Sequence, residues 1–118
     1  MIPPNVAPPK TVVVHYPGAE EKLRKQYVYQ TYLSEEDLGR LKVVPGNRLL
    51  VKFQDEIVGE GQAILVEPMT LERVTPYDAM ISGYENTEAM RKHLSATVLK
   101  GAKKPSAAEF YRVLFRWL

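Results

Sequence analysis

Short apolar and aromatic runs, broken by proline, glycine and polar residues, occupy the first half of the chain. Such runs, bounded by turn residues and rich in β-branched and aromatic side chains, predict β-strands. We expect strands at 11–15, over most of 24–33, at 48–53 and at 57–66. The last two are separated by Asp55 and Glu56, so they form a hairpin.

Three features between residues 59 and 74 refine the predicted pattern of strands. Gly59 and Gly61 fall within a strand, which indicates a bulge or a place where another backbone or a ligand comes close. Pro68 is expected to interrupt the sheet because proline cannot donate to a strand ladder. A short edge strand over 69–74 would then resume it.

Helix-start signals appear at three places. Ser34, followed by acidic residues, predicts a short helix ending near residue 41. Thr75 before a proline predicts a helix that reaches about Ser82 and ends at Gly83. Asn86 or Thr87 caps a further helix that ends near residue 98.

The last stretch, 108–118, fits either a strand or a helix capped by Ser106. Its β-branched and aromatic content favours a strand, which would place Tyr111, Val113, Phe115 and Trp117 on one face. The order of elements does not alternate strand and helix, so a doubly wound sheet is excluded. The sequence predicts an α+β domain: a small, partly open barrel of five to six strands with short helices.

Length and composition indicate one small domain. The chain has 118 residues, 45% of them apolar and 25% charged, as in a typical globular protein. Residues 1–10 are proline-rich and predict a flexible arm, leaving 11–118 as the domain. Without a signal-peptide pattern or an apolar run of about 20 residues, we expect a soluble, cytoplasmic protein with no membrane partner. Absent cysteines and only two histidines predict no metal and no cofactor.

Charge is distributed unevenly along the chain although the net charge is only +2. Residues 53–88 hold eight acidic side chains and one basic one, whereas residues 89–118 hold seven basic side chains and one acidic one. If the fold keeps these segments apart, the molecule is polarised.

Residues 59–69, 74–79 and 82–90 resemble the ASCH-type branch of the PUA-like superfamily, with 110–117 as the closing strand. The resemblance implies a PUA-like barrel and RNA-related binding, because PUA-like domains commonly hold RNA or modified nucleobases in a cleft beside the barrel. Some ASCH-like relatives are amidohydrolases or nucleases. The Gly-x-Lys-x-x-Glu-x-Arg signature of ASCH proteins is missing, and the basic cluster at 22–25 does not replace it.

The basic C-terminal third supplies one set of candidate RNA-binding residues. Lys100, Lys103 and Lys104 lie on a predicted loop, and Arg112 would share a strand face with Arg116. Lysine and arginine beside a phosphate chain gain free energy by releasing counterions. The alternative is that the lysines only solvate a loop and the arginines pair with the acidic segment.

A second set combines cations with aromatic rings. Arg24 and Lys25 precede Tyr27 and Tyr29, and Arg48 lies on a predicted neighbouring strand. Tyrosines between cations on a sheet form the type of platform that single-stranded RNA uses. The alternative is that these tyrosines merely pack on a pleated surface.

Catalysis has one weak candidate pair. Glu60 lies between two glycines, where a ligand can approach, and Lys52 on the paired strand would shift its pKa. A base and a group that polarises a carbonyl are what amide hydrolysis needs.

Three functions therefore remain open. The leading prediction is an RNA- or nucleotide-binding module of ASCH-like type. The alternatives are a hydrolase (an amidohydrolase or nuclease) acting on modified nucleosides or RNA, and a protein-interaction domain that self-associates as a homo-oligomer.

Overall fold

The computed structural model describes residues 8–118, so positions 1–7 of the predicted arm lie outside the described residues. Position 10, expected in the arm, already belongs to the first strand. The strands are β1 (Lys10–Val14), β2 (Gln30–Leu33), β3 (Arg48–Phe53), β4 (Glu56–Met69) and β5 (Phe110–Trp117). The α-helices are α1 (Glu20–Arg24), α2 (Glu35–Leu41), α3 (Pro76–Ile81) and α4 (Thr87–Ala96).

The five strands form one curled sheet in the order β1-β3-β4-β5-β2, a half-barrel. β1 runs parallel to β3, and every other neighbouring pair is antiparallel. β1 and β2 are thus the two edges of the sheet. The predicted α+β architecture, a partly open barrel of five strands with short helices, is confirmed.

Two hydrophobic clusters cover the two faces of this sheet. The first fills the inside of the half-barrel and includes Val12, Leu49, Val51, Val113 and Phe115. The second lies between the outer face and helices α3 and α4, and includes Tyr32, Met69, Ala79, Met90 and Phe110. β5 therefore contributes alternate side chains to both clusters, as the two-residue period of a strand requires.

The glycines predicted to mark a bulge or a close approach do both. The register of β3 and β4 shifts between Val51 and Lys52. A Cβ atom on Gly59 would lie 2.8 Å from the Trp117 ring, and one on Gly61 would lie 2.8 Å from the Phe115 ring. Aromatic side chains of β5 use the space that these glycines leave, and at Gly61 the backbone carbonyl oxygen of Arg116 comes close as well, at 3.0 Å from such a Cβ atom.

The strand predicted over 24–33 is shorter than expected. α1 continues to Arg24, and Gln26 then adopts a left-handed conformation with φ of 63°. The chain enters β2 only at Gln30, whose partner on β5 is Leu114. The aromatic run that suggested a strand mostly crosses from the helix to the sheet.

Pro68 does not interrupt the sheet, and the edge strand predicted over 69–74 is wrong. β4 runs through Pro68, which lies opposite Tyr111, and ends at Met69; residues 71–73 form a 3-10 turn. β3 pairs with β4 only as far as Gln62, so the later part of β4 has β5 as its one neighbour. A proline is tolerated there because its missing N–H lies on an open edge.

The predicted helix caps are present. The Ser34 side chain accepts from the amide of Asp37, Thr75 and Asp78 form a reciprocal capping box, and Asn86 caps α4. Gly83 follows α3 with a positive φ of 88°. The last stretch is a strand, as its composition favoured. Among residues 8–118 no helix is long and apolar enough to cross a membrane.

Replacing Gly61 with alanine should destabilise the fold. The added methyl group would meet the Phe115 ring and, at 3.0 Å, the Arg116 carbonyl oxygen, which cannot move freely. We expect a loss of about 1–3 kcal/mol in the free energy of unfolding, the usual cost of overpacking.

Gly39→Ala is the matched control, since a methyl group at this position of helix α2 would meet nothing within 4 Å. Alanine there should stabilise the protein by about 0.5–1 kcal/mol. Urea denaturation of both variants measures the difference, and equal stability of Gly61→Ala and the parent would contradict the packing argument.

Candidate functional site

A cleft of about 400 Å³ separates the two edges of the sheet. Its walls come from β1, the end of β2, helix α2 and the segment after α4. Charged side chains surround it: His15, Arg40 and Lys100 supply nitrogen donors, and Glu36 and Asp37 supply carboxylates. A volume of this size lies within the range of small-ligand sites, roughly 300–1,000 Å³.

A small cavity of about 30 Å³ adjoins the cleft. The two share parts of their walls, among them Val13, Tyr32 and Val98. The small cavity extends towards Ser82 and Tyr84, between the half-barrel and the two later helices. It has room for a water molecule rather than for a larger ligand.

A buried polar network lies beside the small cavity. The Gln30 side chain donates to Asp78 Oδ1 at 3.0 Å and to the Tyr32 hydroxyl, and the Tyr32 hydroxyl is 3.0 Å from Ser82 Oγ. Gln30, Asp78 and Ser82 are each 3% exposed. Burial raises the pKa of Tyr32 to about 12, so its hydroxyl stays protonated. The network joins strand β2 to helix α3 with its polar groups satisfied.

Arg112 closes this network from β5. Its guanidinium donates to Glu67 Oε1 at 2.6 Å and to Asp78 Oδ1 at 2.8 Å. Its Nε atom is buried with no hydrogen-bond partner among the described residues. Arg112, predicted to bind RNA, is therefore held in a partly buried ion pair, as the alternative interpretation expected.

A cluster of titratable rings forms the far wall of the small cavity. The Tyr84 hydroxyl lies 2.7 Å from His93 Nδ1, and the Tyr16 hydroxyl donates to the carboxylate of Glu85. Burial lowers the pKa of His93, and the nearby His15 lowers it further. Burial also raises the pKa of Tyr84. The Tyr84 hydroxyl and His93 Nδ1 thus share a hydrogen bond, in which the tautomer of the imidazole sets the donor.

The second predicted set of RNA-binding cations is occupied by local ion pairs. Arg24 pairs with Glu20 and Glu56, both on exposed surface. Lys25 pairs with Glu21, and that carboxylate raises the pKa of Lys25.

Arg48 pairs with Glu60 across the β3–β4 hairpin. Together with the pairs that Arg112 forms with Glu67 and Asp78, these contacts join the acidic segment to basic residues on both sides of it. The predicted separation of charge is thus partly cancelled inside the fold.

The three lysines of the loop after α4 are placed differently. Lys100, Lys103 and Lys104 are exposed and form no ion pair with any residue in the described range. Lys100 lines the cleft. Of the seven predicted RNA-binding residues, these three have their charge available to a ligand.

Glu60 and Lys52 are not brought together as a pair. On β4, Glu60 lies opposite Leu50, and its carboxylate contacts Arg48. Lys52 lies opposite Ile57, beyond the register shift. No group of three or more histidine or acidic residues that could hold a metal occurs within residues 8–118.

Sequence reasoning missed Gln30, Asp78 and Ser82 as a group. The one available signal was a glutamine in the middle of an aromatic and β-branched run, because a buried amide in a strand needs polar partners. It also missed Arg40, whose position on the cleft depends on how helix α2 packs beside β1 and β2.

Comparison of the sequence with protein-family models and with curated proteins gives no match. Among the solved structures that share the fold are two crystal structures. A DUF984-family protein from Enterococcus faecalis has a TM-score of 0.68 and 13% identity, covering 97% of this chain and 82% of that one. An ASCH domain from Lactobacillus crispatus has a TM-score of 0.64 and 10% identity, covering 92% of this chain and 79% of that one. The predicted resemblance to the ASCH-type fold is confirmed at the level of architecture.

Replacing Asp78 with alanine should lower the free energy of unfolding far more than replacing Glu67 does, although both carboxylates contact Arg112. The Asp78 side chain is 5% exposed and also serves the capping box, whereas that of Glu67 is 38% exposed. Asp78→Ala should cost about 3–5 kcal/mol because it leaves a buried charge with less compensation. Glu67→Ala should cost about 1 kcal/mol or less, since exposed pairs contribute little. Urea denaturation measures both, and similar losses would contradict the assigned burial.

Stability should fall in mild acid because of His93. The folded protein lowers the pKa of His93 below its ordinary value of 6.5, so the unfolded chain binds a proton more readily. Protonation therefore favours unfolding, and the free energy of unfolding decreases as the pH falls through about 6.5 and below. Thermal melts between neutral and mildly acidic pH measure this. His93→Gln should flatten the pH dependence and His15→Gln should largely retain it; the reverse result would contradict the assignment.

Proposed function

We propose that this protein binds RNA or nucleotides in the cleft between β1 and β2. The observation that carries the proposal is the group of exposed lysines in the loop after α4, Lys100, Lys103 and Lys104. Lys100 lines the cleft, and none of the three has an ion-pair partner among the described residues. Cations that are free of carboxylates gain more from a phosphate, because no existing pair has to be broken.

The rim of the cleft adds to this electrostatic attraction. Among the described residues Arg40 pairs with Asp37 alone, three residues earlier on α2, and both side chains are exposed. Exposed pairs of this kind contribute about 0.2–1 kcal/mol, so a phosphate can replace the carboxylate at little cost. His15, also at the cleft, can donate a further hydrogen bond.

The strands on either side of the cleft offer recognition of the nucleobase. Within residues 8–118, β1 pairs with β3 alone and β2 with β5 alone, so each has one strand edge without a partner strand there. An edge strand presents a row of free N–H and C=O groups. These groups suit the polar edges of an unpaired base, the part by which RNA-binding proteins read single strands.

The fold is consistent with the same class of ligand. PUA-like domains, which the sequence resembles, commonly bind RNA or modified nucleobases beside the barrel. The fold shared with the ASCH domain of Lactobacillus crispatus supports that resemblance. The hydrolase alternative has less support, because Glu60 and Lys52 do not meet.

Charge reversal in the loop should weaken RNA binding. The double variant Lys103→Glu with Lys104→Glu removes two phosphate contacts, so the slope of log affinity against log salt should decrease in magnitude by about two. Fluorescence anisotropy with labelled single- and double-stranded RNA, at about 50 and about 200 mM salt, measures the slope and the preferred form.

The matched control is Lys22→Glu with Lys92→Glu, which changes the net charge equally at exposed positions on helices α1 and α4, outside the loop after α4. This control should retain most of the affinity. Equal weakening by both double variants would show that binding depends on net charge alone. No binding of any RNA by the parent protein would rule out the proposed function.

A further inference from the structure

A second groove lies at the opposite end of β2 from the cleft. It encloses about 420 Å³ and is called the aromatic groove here. Its walls are Tyr29, Ile64, Tyr77, Leu114, Phe115, Arg116 and Trp117. The lining is mostly apolar, with one cation and no carboxylate, which distinguishes it from the mixed charges of the cleft.

An irregularity in the sheet helps to form this groove. The register of β4 and β5 shifts between Ala63 and Leu65, so Ile64 has no partner on β5. Ile64 is 49% exposed, and Tyr77 of helix α3 is 59% exposed on the other side of the groove. Large apolar side chains left exposed together on one face indicate a binding site more often than isolated ones do.

The rim of the aromatic groove carries a guanidinium that is free for an anion. Arg116 is exposed, and its Nε donates to the amide oxygen of Gln62 at 2.9 Å. It forms no ion pair with any residue between 8 and 118. Gln62 lies opposite Arg48 on its other side, so two arginines flank this amide across three strands.

We propose that the aromatic groove binds one unpaired base of a single-stranded RNA, stacked on the ring of Tyr77, with the adjacent phosphate on Arg116. Aromatic faces with a nearby cation are what single-stranded nucleic acids recognise irrespective of sequence. The absence of a carboxylate from the lining favours this anionic ligand over a mixed-charge protein surface.

This inference rests on the proposed function and extends it, because the same strand would follow β2. The cleft lies beside Leu33 and the aromatic groove beside Tyr29, four residues earlier. At a rise of about 3.3 Å per residue the two sites are on the order of 13 Å apart along the strand. A short RNA can reach both, so the groove should add affinity to the electrostatic binding at the lysine loop.

The fluorescence of Trp117 can report binding in the aromatic groove. It is the one tryptophan of the sequence and lines the aromatic groove, whereas the cleft has no tryptophan. We therefore expect titration with an unlabelled single-stranded RNA of about ten nucleotides, within the usual site sizes, to quench tryptophan fluorescence. A duplex of the same sequence should quench it much less, because its bases are already stacked.

Tyr77→Ala tests the stacking surface, and Tyr27→Ala is its matched control. Both tyrosines are exposed, at 59% and 66%, but Tyr27 does not line the groove. Tyr77→Ala should weaken single-stranded RNA binding roughly tenfold and remove most of the quenching, as loss of one stacked base does. Tyr27→Ala should match the parent protein in both respects.

The outcomes separate this inference from the proposed function. If RNA binds and the loop variants weaken it, but Tyr77→Ala binds like Tyr27→Ala and fluorescence is unchanged, the groove proposal is wrong and the cleft proposal stands. If the parent protein instead shows a concentration-dependent mass that Tyr77→Ala abolishes, the groove joins two copies of this chain, which also overturns the inference. If no RNA binds at all, both proposals fail.

Discussion

The ion pair between Arg112 and Asp78 fixes the helical layer on the sheet, and the geometry beside the cleft depends on it. Asp78 caps its own helix through Thr75 and accepts from Gln30 as well as from Arg112. A carboxylate this deeply buried needs all of these partners to compensate for lost solvation. Ser82, one turn later on the chain, is thereby held against Tyr32 at the wall shared by the cleft and the small cavity.

Much of the fold could be predicted because it depends on local signals. Ser34 and Thr75 cap the helices that they were predicted to begin, because each side chain accepts a hydrogen bond from a backbone amide of the first turn. Gly61 lies where an aromatic ring passes close to the backbone. Pro68 misled the prediction because its effect depends on whether a neighbouring strand needs its N–H, which only the strand order decides. The strand predicted over 24–33 began too early for a similar reason: the residues between Arg24 and Gln30 connect α1 to β2 instead of forming part of a strand.

The candidate site was less predictable because it depends on long-range register. Arg112 and Glu67 are 45 residues apart and become partners only through the antiparallel pairing of β4 and β5. Asp78 reaches the same guanidinium from a helix. Counting charges by segment therefore exaggerated the polarity of the molecule, because Arg48 and Arg112 meet carboxylates of the acidic segment across the sheet.

The lysines outside the sheet differ from Arg48 and Arg112 for a topological reason. A strand residue has a cross-strand neighbour at about 5 Å, so an arginine on β3 or β5 meets whatever the adjacent strand presents there. Lys100, Lys103 and Lys104 follow the end of α4 and precede β5, where no such neighbour is imposed. Lys100 presents its charge at the cleft, beside one end of β2. Arg116 presents its charge near the other end, where its side chain contacts the amide of Gln62 instead of a carboxylate. The carboxylates of Glu67 and Asp78 thus neutralise Arg112 in the middle of β5 and join helix α3 to the sheet. Unneutralised cations remain at two solvent-facing positions, and an extended anionic ligand that follows β2 would need a cation at each.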